Sequence, residues 1–215
     1  RLIWVYPAHM TFAEGMFAQP LIDAYQHHRG TYGIWIQYAK GHARLLSSRR
    51  GNNNFLGLDW SAYDSRVPAW LIRIAFDIIK QNLDFTRYYE YGSPTHDTSL
   101  PRLWRHIIHY FINTPIQLPS GKVLVKHQGV PSGSFFTSLI DSVCNCIVVH
   151  YLLQCMGVDP HEMWVVGDDC LVILSAAVLN LSVLASIASE TFGFQLNTEK
   201  SEFGLEVSFL GFKIV

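Results

Sequence analysis

The chain has 215 residues, 49% of them apolar and 15% charged, which is enough for one well-packed domain and excludes a disordered or coiled-coil chain. Its 16 Lys and Arg stand against 17 Asp and Glu, a net charge of -1, so no global basic field marks a nucleic-acid binder. Four cysteines, at 144, 146, 155 and 170, are too few and too clustered for a disulfide framework and fit a reducing compartment. No apolar run approaches the ~18 residues of a membrane span. The absence of an initiator Met, with an apolar strand pattern at the other end, reads as a piece of a longer polypeptide.

Residues 1–54 mix aromatic segments with a basic patch at Lys40, His42, Arg44, Arg49 and Arg50, closed by the turn signal Gly51-Asn52-Asn53-Asn54. The apolar run 55–58 predicts a buried strand ending at Asp59. Pro68 then opens a helix with apolar residues at 71, 72, 74, 75, 78 and 79. After a polar loop, an aromatic helix is expected near 104–111, and 116–125 reads as a hairpin turning at Pro119-Ser120-Gly121. A helix follows over 134–154, then apolar strands at 163–166 and 171–174 flanking Gly167-Asp168-Asp169-Cys170. A helix over 176–192 and a strand pair near 203–215 complete an α+β order, with helices on one face of an antiparallel sheet.

Three acids stand in apolar surroundings. Asp168 and Asp169 separate two strands, and Asp59 ends a third. A half-buried carboxylate costs several kcal/mol unless a cation or hydrogen bonds neutralise it. Converging carboxylates without a His partner suit Mg²⁺ or Mn²⁺. A lone Gly-Asp-Asp also serves as an ordinary hairpin turn, and Asp64, five residues past Asp59, also reads as a helix cap. Gly129-Val130-Pro131-Ser132-Gly133-Ser134 is a glycine-bearing loop whose amides and hydroxyls suit a phosphate or a base. In the helix that follows, Thr137, Asp141 and Asn145 share one face at i, i+4, i+8, and the helix carries no Lys or Glu. Cys144 and Cys146 do not read as a zinc pair, because side chains two apart on a helix diverge. The tryptophans read mainly as core.

In this order the residues resemble the viral RNA-dependent RNA polymerases. Asp59-x4-Asp64 resembles motif A, Ser132-Gly133-x3-Thr137 motif B, and Gly167-Asp168-Asp169 motif C. Lys200 falls at the motif D lysine, Phe209-Leu210-Gly211-Phe212 resembles motif E, and Arg1 resembles the tail of motif F. The motif B wording before Asp141 is most similar to the partitivirus group, with picobirnaviruses as the near alternative. The resemblance implies a right-hand polymerase. Residues 1–54 would be part of the fingers and 55–215 the palm, with a helical fingers-side insertion at 82–115 and the thumb missing.

It further implies two Mg²⁺ ions, or Mn²⁺, about 3.5–4 Å apart. Asp59 and Asp168 would hold them with Asp169 in support. Asp64, with Thr137 and Asp141 or Asn145, would sense the ribose 2′-hydroxyl. Ser132 and Gly133 would touch the template strand, Arg1 would clamp the triphosphate, and Lys200 would protonate pyrophosphate. The implied partners are an RNA template and product strand, ribonucleoside triphosphates and viral capsid protein, with no membrane, in host cytoplasm within the virion. Reverse transcriptases share the chemistry, but they carry a bulky residue where Asp64 stands and an aromatic where Gly167 stands. A non-catalytic palm that merely binds RNA would show the loss of a metal acid, and all three are present.

Overall fold

In chain order the elements are α1 (Ala8–His27), α2 (His42–Arg49), β1 (Asn54–Leu58), β2 (Trp60–Ser61), α3 (Tyr63–Arg66), α4 (Ala69–Lys80), α5 (Ser99–Ile112), β3 (Pro115–Gln117) and β4 (Val123–Val125). There follow α6 (Thr137–Cys155), β5 (Glu162–Val166), β6 (Asp169–Leu174), α7 (Leu181–Phe192), β7 (Gln195–Leu196), β8 (Glu202–Gly204), β9 (Val207–Phe209) and β10 (Phe212–Ile214). The computed structural model describes residues 6–88 and 90–215.

The central sheet has the order β5-β6-β1-β8, every pair antiparallel. The strands β1, β5 and β6 are mostly apolar and buried because both faces of the sheet are covered. On one face Leu56 and Leu58, with their partners Val172 and Cys170, join the main core. That core is roofed by the helical layer, in which α6 lies on β5 and β6 and is flanked by α4 and α7. On the other face Phe55 and its partner Ile173 join a smaller core with Trp35, Leu46, Trp164, Phe209 and Ile214. The helical face was expected; the second cover, made by α2 and the β9–β10 hairpin, was not.

Helix α4 follows Pro68, which occupies the N-cap. It buries Leu71, Ile72, Ala75, Phe76 and Ile79, and each large apolar side chain so buried contributes ~1.5–3 kcal/mol. Ile74 and Ile78, apolar on the same count, face out at 41% exposure each. Phe76 is the hub of an aromatic cluster, edge-on to Trp104, Phe111 and Phe136 at 5.1–5.5 Å. Those rings belong to α4, α5 and the residue just before α6, so the cluster fixes where α6 begins. Trp35, Trp60, Trp104 and Trp164 are core residues as expected, whereas Trp70 is half exposed and stacks on Phe192.

Helix α1 is absent from the sequence reading, and α7 begins at Leu181 rather than 176, where the Asn180 carboxamide accepts from the Ser182 and Val183 amides. Among the described residues, α6 alone has the length and apolarity to cross a bilayer. In this fold it is the core helix, with ten buried residues that include Asp141, Ser142 and Asn145.

Candidate active site

The acids are brought together by strand register. β1 and β6 pair up to Leu58 and Cys170, so the next step places Asp59 opposite Asp169. β5 and β6 pair up to Val166 and Asp169, leaving Gly167 and Asp168 as a two-residue turn. Gly167 takes φ +64 and Asp168 does not take a positive φ, the pattern of a II′ hairpin turn that needs glycine first. Asp59 and Asp169 are half-buried, and Asp168 at the tip is exposed.

Burial raises the Asp169 carboxyl above the usual carboxylate range, and the charges of Asp168 and Asp59 raise it further, while the Leu210 backbone N–H opposes them by donating to it. The three acids therefore lie within electrostatic reach of one another. Among the described residues no three His, Cys, Asp or Glu side chains are gathered closely enough to hold a metal ion outright. The donor chemistry nonetheless fits a hard divalent cation: all oxygen, three negative charges, and a mutual repulsion that a cation would relieve.

Leu210 and Gly211 form the β9–β10 turn with φ of 49° and 76°, and it is this turn that delivers the N–H to Asp169. The Tyr38 hydroxyl donates to the Phe209 carbonyl at 2.7 Å and its ring meets Phe212 at 4.3 Å. Burial and the neighbouring Asp169 charge push the Tyr38 phenol up to about 12. Tyr38 is thus a support of this corner that the sequence did not reveal.

The acid-bearing turn is held by α6. The Gly167 N–H donates to Ser142 Oγ at 2.7 Å. Asn145 Nδ2 donates to the carbonyls of Gly167 (3.1 Å) and Asp168 (2.7 Å), and Asn145 Oδ1 accepts from Trp60 Nε1 at 3.0 Å. Asn145 is fully buried. Both amide hydrogens go to the turn and the oxygen accepts from Trp60, so the carboxamide ties the turn to the segment after Asp59. Asp141 is the other helix candidate for the sugar. It is buried, and the Tyr63 hydroxyl donates to its backbone carbonyl at 3.1 Å.

Asp64 lies in the first turn of α3, whose N-cap is Ala62, so the alternative reading of Asp64 as a cap does not apply to this helix. Ala62 has φ 53, a left-handed conformation costing a non-glycine residue ~1 kcal/mol or more. The Asp64 carbonyl accepts from Val130 N–H at 2.7 Å, seating the 129–134 loop beside the acids. Gly129 makes this approach possible: at φ +76, an added Cβ would lie 2.9 Å from the Asp64 carbonyl oxygen.

The rest of that loop is held by two ionisable groups the sequence reading missed. Glu14 of α1, fully buried, accepts from Tyr6 Oη (2.7 Å), Ser134 Oγ (2.6 Å) and Phe135 N–H (3.0 Å). Burial raises its carboxyl and the three hydrogen bonds draw it back down. Lys126 donates to the carbonyls of Phe111, Ile112 and Gly129, and burial lowers its ammonium to about 8. Thr137 Oγ1 donates to the Pro131 carbonyl at 2.5 Å, so its proton braces the loop. Ser132 is half-buried and Gly133 exposed, at the loop's outer side.

Lys200 is exposed. The next residue, Ser201, accepts from the Asp59 N–H at 3.1 Å, and Asn197 N–H donates to the Asp59 carbonyl at 2.8 Å. The segment carrying the lysine is therefore pinned to the segment carrying the first acid. Arg1 lies outside the described residues.

Residues 1–215 match the family model described as viral RNA-dependent RNA polymerase. The chain is 30% identical over 214 residues to the RNA-directed RNA polymerase of Cryptosporidium parvum virus 1 (strain KSU-1), covering 97% of this chain and 37% of that protein. It is also 30% identical over 226 residues to the RNA-directed RNA polymerase of White clover cryptic virus 1 (isolate Boccardo/2004), covering 94% and 37%. The crystal structure of a human picobirnavirus RNA-dependent RNA polymerase superposes with a TM-score of 0.76 at 17% identity, covering 98% of this chain and 38% of that one. The chain thus spans little more than a third of the length of these relatives.

Proposed function

The chain belongs to the viral RNA-dependent RNA polymerases, and from that premise we propose that it supplies the palm of an enzyme that copies a viral RNA genome from ribonucleoside triphosphates. The observation that carries the proposal is the strand register that brings Asp59, Asp168 and Asp169 to one end of the sheet. These acids would hold the divalent ions, with Asp59 and Asp168 as principal ligands. Mg²⁺ or Mn²⁺, when bound, supplies the positive charge that favours an ionised 3′-hydroxyl and a departing pyrophosphate.

The chain's own groups do the rest. The carboxylates of Asp64 and Asp141 are the groups that accept from the ribose 2′-hydroxyl. The 129–134 loop, fixed against the Asp64 carbonyl, offers Ser132 and the Gly133 backbone to the template strand. The primer oxygen attacks the α-phosphorus and the α–β bridging bond breaks. Lys200, carried beside the Asp59 segment, gives the leaving pyrophosphate its proton. The same reading makes RNA template, product strand and capsid protein its partners, in host cytoplasm within the virion.

The test is labelled ribonucleotide incorporation by the full-length enzyme on single-stranded RNA with Mg²⁺, beside Asp168→Asn. Loss of a ligand charge from a site built for two dications abolishes incorporation. A variant within tenfold of wild type would refute the metal assignment, and an inactive wild type that binds RNA would point to a non-catalytic palm.

A further inference from the structure

Between Asp97 and Asp141 the chain holds no acidic residue, while the same 43 residues carry Arg102, Arg105, Lys122 and Lys126 with His106, His109 and His127. All 17 acids lie elsewhere, facing the other 12 of the 16 bases. The asymmetry is spatial as well. α5 buries Leu100, Trp104, Ile107, Phe111 and Ile112 and turns Arg102, Arg105, His106 and His109 to solvent. These four sit at i, i+3, i+4, i+7 and share one face, and at 1.5 Å per residue they extend over about 10 Å of helix.

The line does not stop at the helix end. His109 Nδ1 meets the Asn113 amide at 3.5 Å, and Asn113 Oδ1 meets His127 Nδ1 at 2.9 Å. The next residue, Gln128, donates to the Ser65 carbonyl, and Gly129 then opens the loop seated on Asp64. Among the described residues Arg102, Arg105 and Lys122 form no ion pair. The patch at residues 40–50 behaves differently. Arg49 lies 3.4 Å from Glu162, and Arg50 donates to the Asn53 carbonyl and covers the Phe55 ring. Its charge is partly committed to the fold.

We propose that the acid-free face of α5, continued by His109, Asn113 and His127, is an RNA track that carries the phosphate backbone of a single strand to the 129–134 loop. The inference rests on the polymerase reading and adds a surface to it. Guanidinium groups without acidic neighbours are matched to phosphate oxygens and hold them in forked, charge-assisted bonds. Contacts to phosphate carry no sequence information, so the two guanidinium groups bind the strand whatever its sequence.

The experiment uses the full-length polymerase and a labelled single-stranded RNA, with binding followed by anisotropy across a salt series and incorporation measured in parallel. Arg102→Ala/Arg105→Ala is expected to weaken RNA binding about tenfold at low salt. The log–log salt slope should fall by about 1.4, at roughly 0.7 per phosphate contact on a single strand. The apparent KM for template rises with it, and kcat at saturating RNA stays within twofold. Arg102→Lys/Arg105→Lys retains the slope, which separates charge from fold. An unchanged affinity and slope in Arg102→Glu/Arg105→Glu overturns the track and leaves this face to an acidic protein partner. A wild-type enzyme that binds RNA with this slope but incorporates nothing overturns the polymerase reading alone; one that binds no RNA overturns both.

Discussion

The two loops that α6 brings to the acids are secured by opposite chemistry. The Gly167-Asp168 turn is tied to α6 by neutral groups, the Ser142 hydroxyl and the Asn145 carboxamide. The 129–134 loop is held by a buried carboxylate, Glu14, and by a half-buried ammonium, Lys126. Neutral hydrogen bonds do not titrate, so these ties of the acid-bearing turn to α6 do not depend on pH while the protein is folded. The loop's anchors do titrate, which couples its position to protonation. A site that must hold three like charges in register gains from the first arrangement. A loop that must follow a moving strand tolerates the second.

The comparison is broken most severely at Asn145. Asn145→Ala leaves Trp60 Nε1 and the Gly167 and Asp168 carbonyls without their partner in a fully buried position. The expected cost is about 3 kcal/mol. That corresponds to roughly 6–12 °C in Tm for a chain of this size, with incorporation falling with it. A melt within 2 °C of wild type would mean that the turn holds itself.

Glu14→Gln sharpens the other side. The Glu14 carboxyl is raised in the fold, so its contribution is full below the ordinary value of 4.5 and is lost as pH rises through the raised one. Thermal melts of wild type and Glu14→Gln from pH 4 upward should therefore show the wild-type advantage shrinking as pH rises. Parallel curves would show that the Glu14 carboxyl titrates in the fold as it does in the unfolded chain. The smallest expected effect is at Asp64. Asp64→Ala lowers the preference for ribonucleotides over deoxyribonucleotides about tenfold in incorporation assays, and an unchanged ratio would leave Asp64 acting only through its carbonyl on Val130.

What the sequence displayed was what is local. The acids stood out because each broke an apolar run, and the 116–125 hairpin was visible in its Pro-Ser-Gly turn, observed with Gly121 at φ +82. Helix α1 was hidden because Gly15 and Pro20 interrupt it and its apolar residues do not gather on one stripe. Glu14 was illegible for a different reason: its partner Ser134 lies 120 residues away, and no spacing rule reaches that far. The bonds Asn145 makes to the acid turn were illegible because helical spacing says which residues share a face and is silent on what that face meets. Here it meets a strand turn. Asn180, by contrast, carried a cap signal that the apolar Val178-Leu179 before it obscured.

The division of labour between turn and loop is tested most directly by Mn²⁺ binding to the full-length enzyme, followed by electron paramagnetic resonance with wild type, Asp168→Asn and Glu14→Gln side by side. The account predicts at least tenfold weaker Mn²⁺ binding for Asp168→Asn and wild-type binding for Glu14→Gln. Equal Mn²⁺ affinity in wild type and Asp168→Asn would contradict it, because the cation would then be held somewhere other than the corner where β1, β6 and the Gly167-Asp168 turn meet.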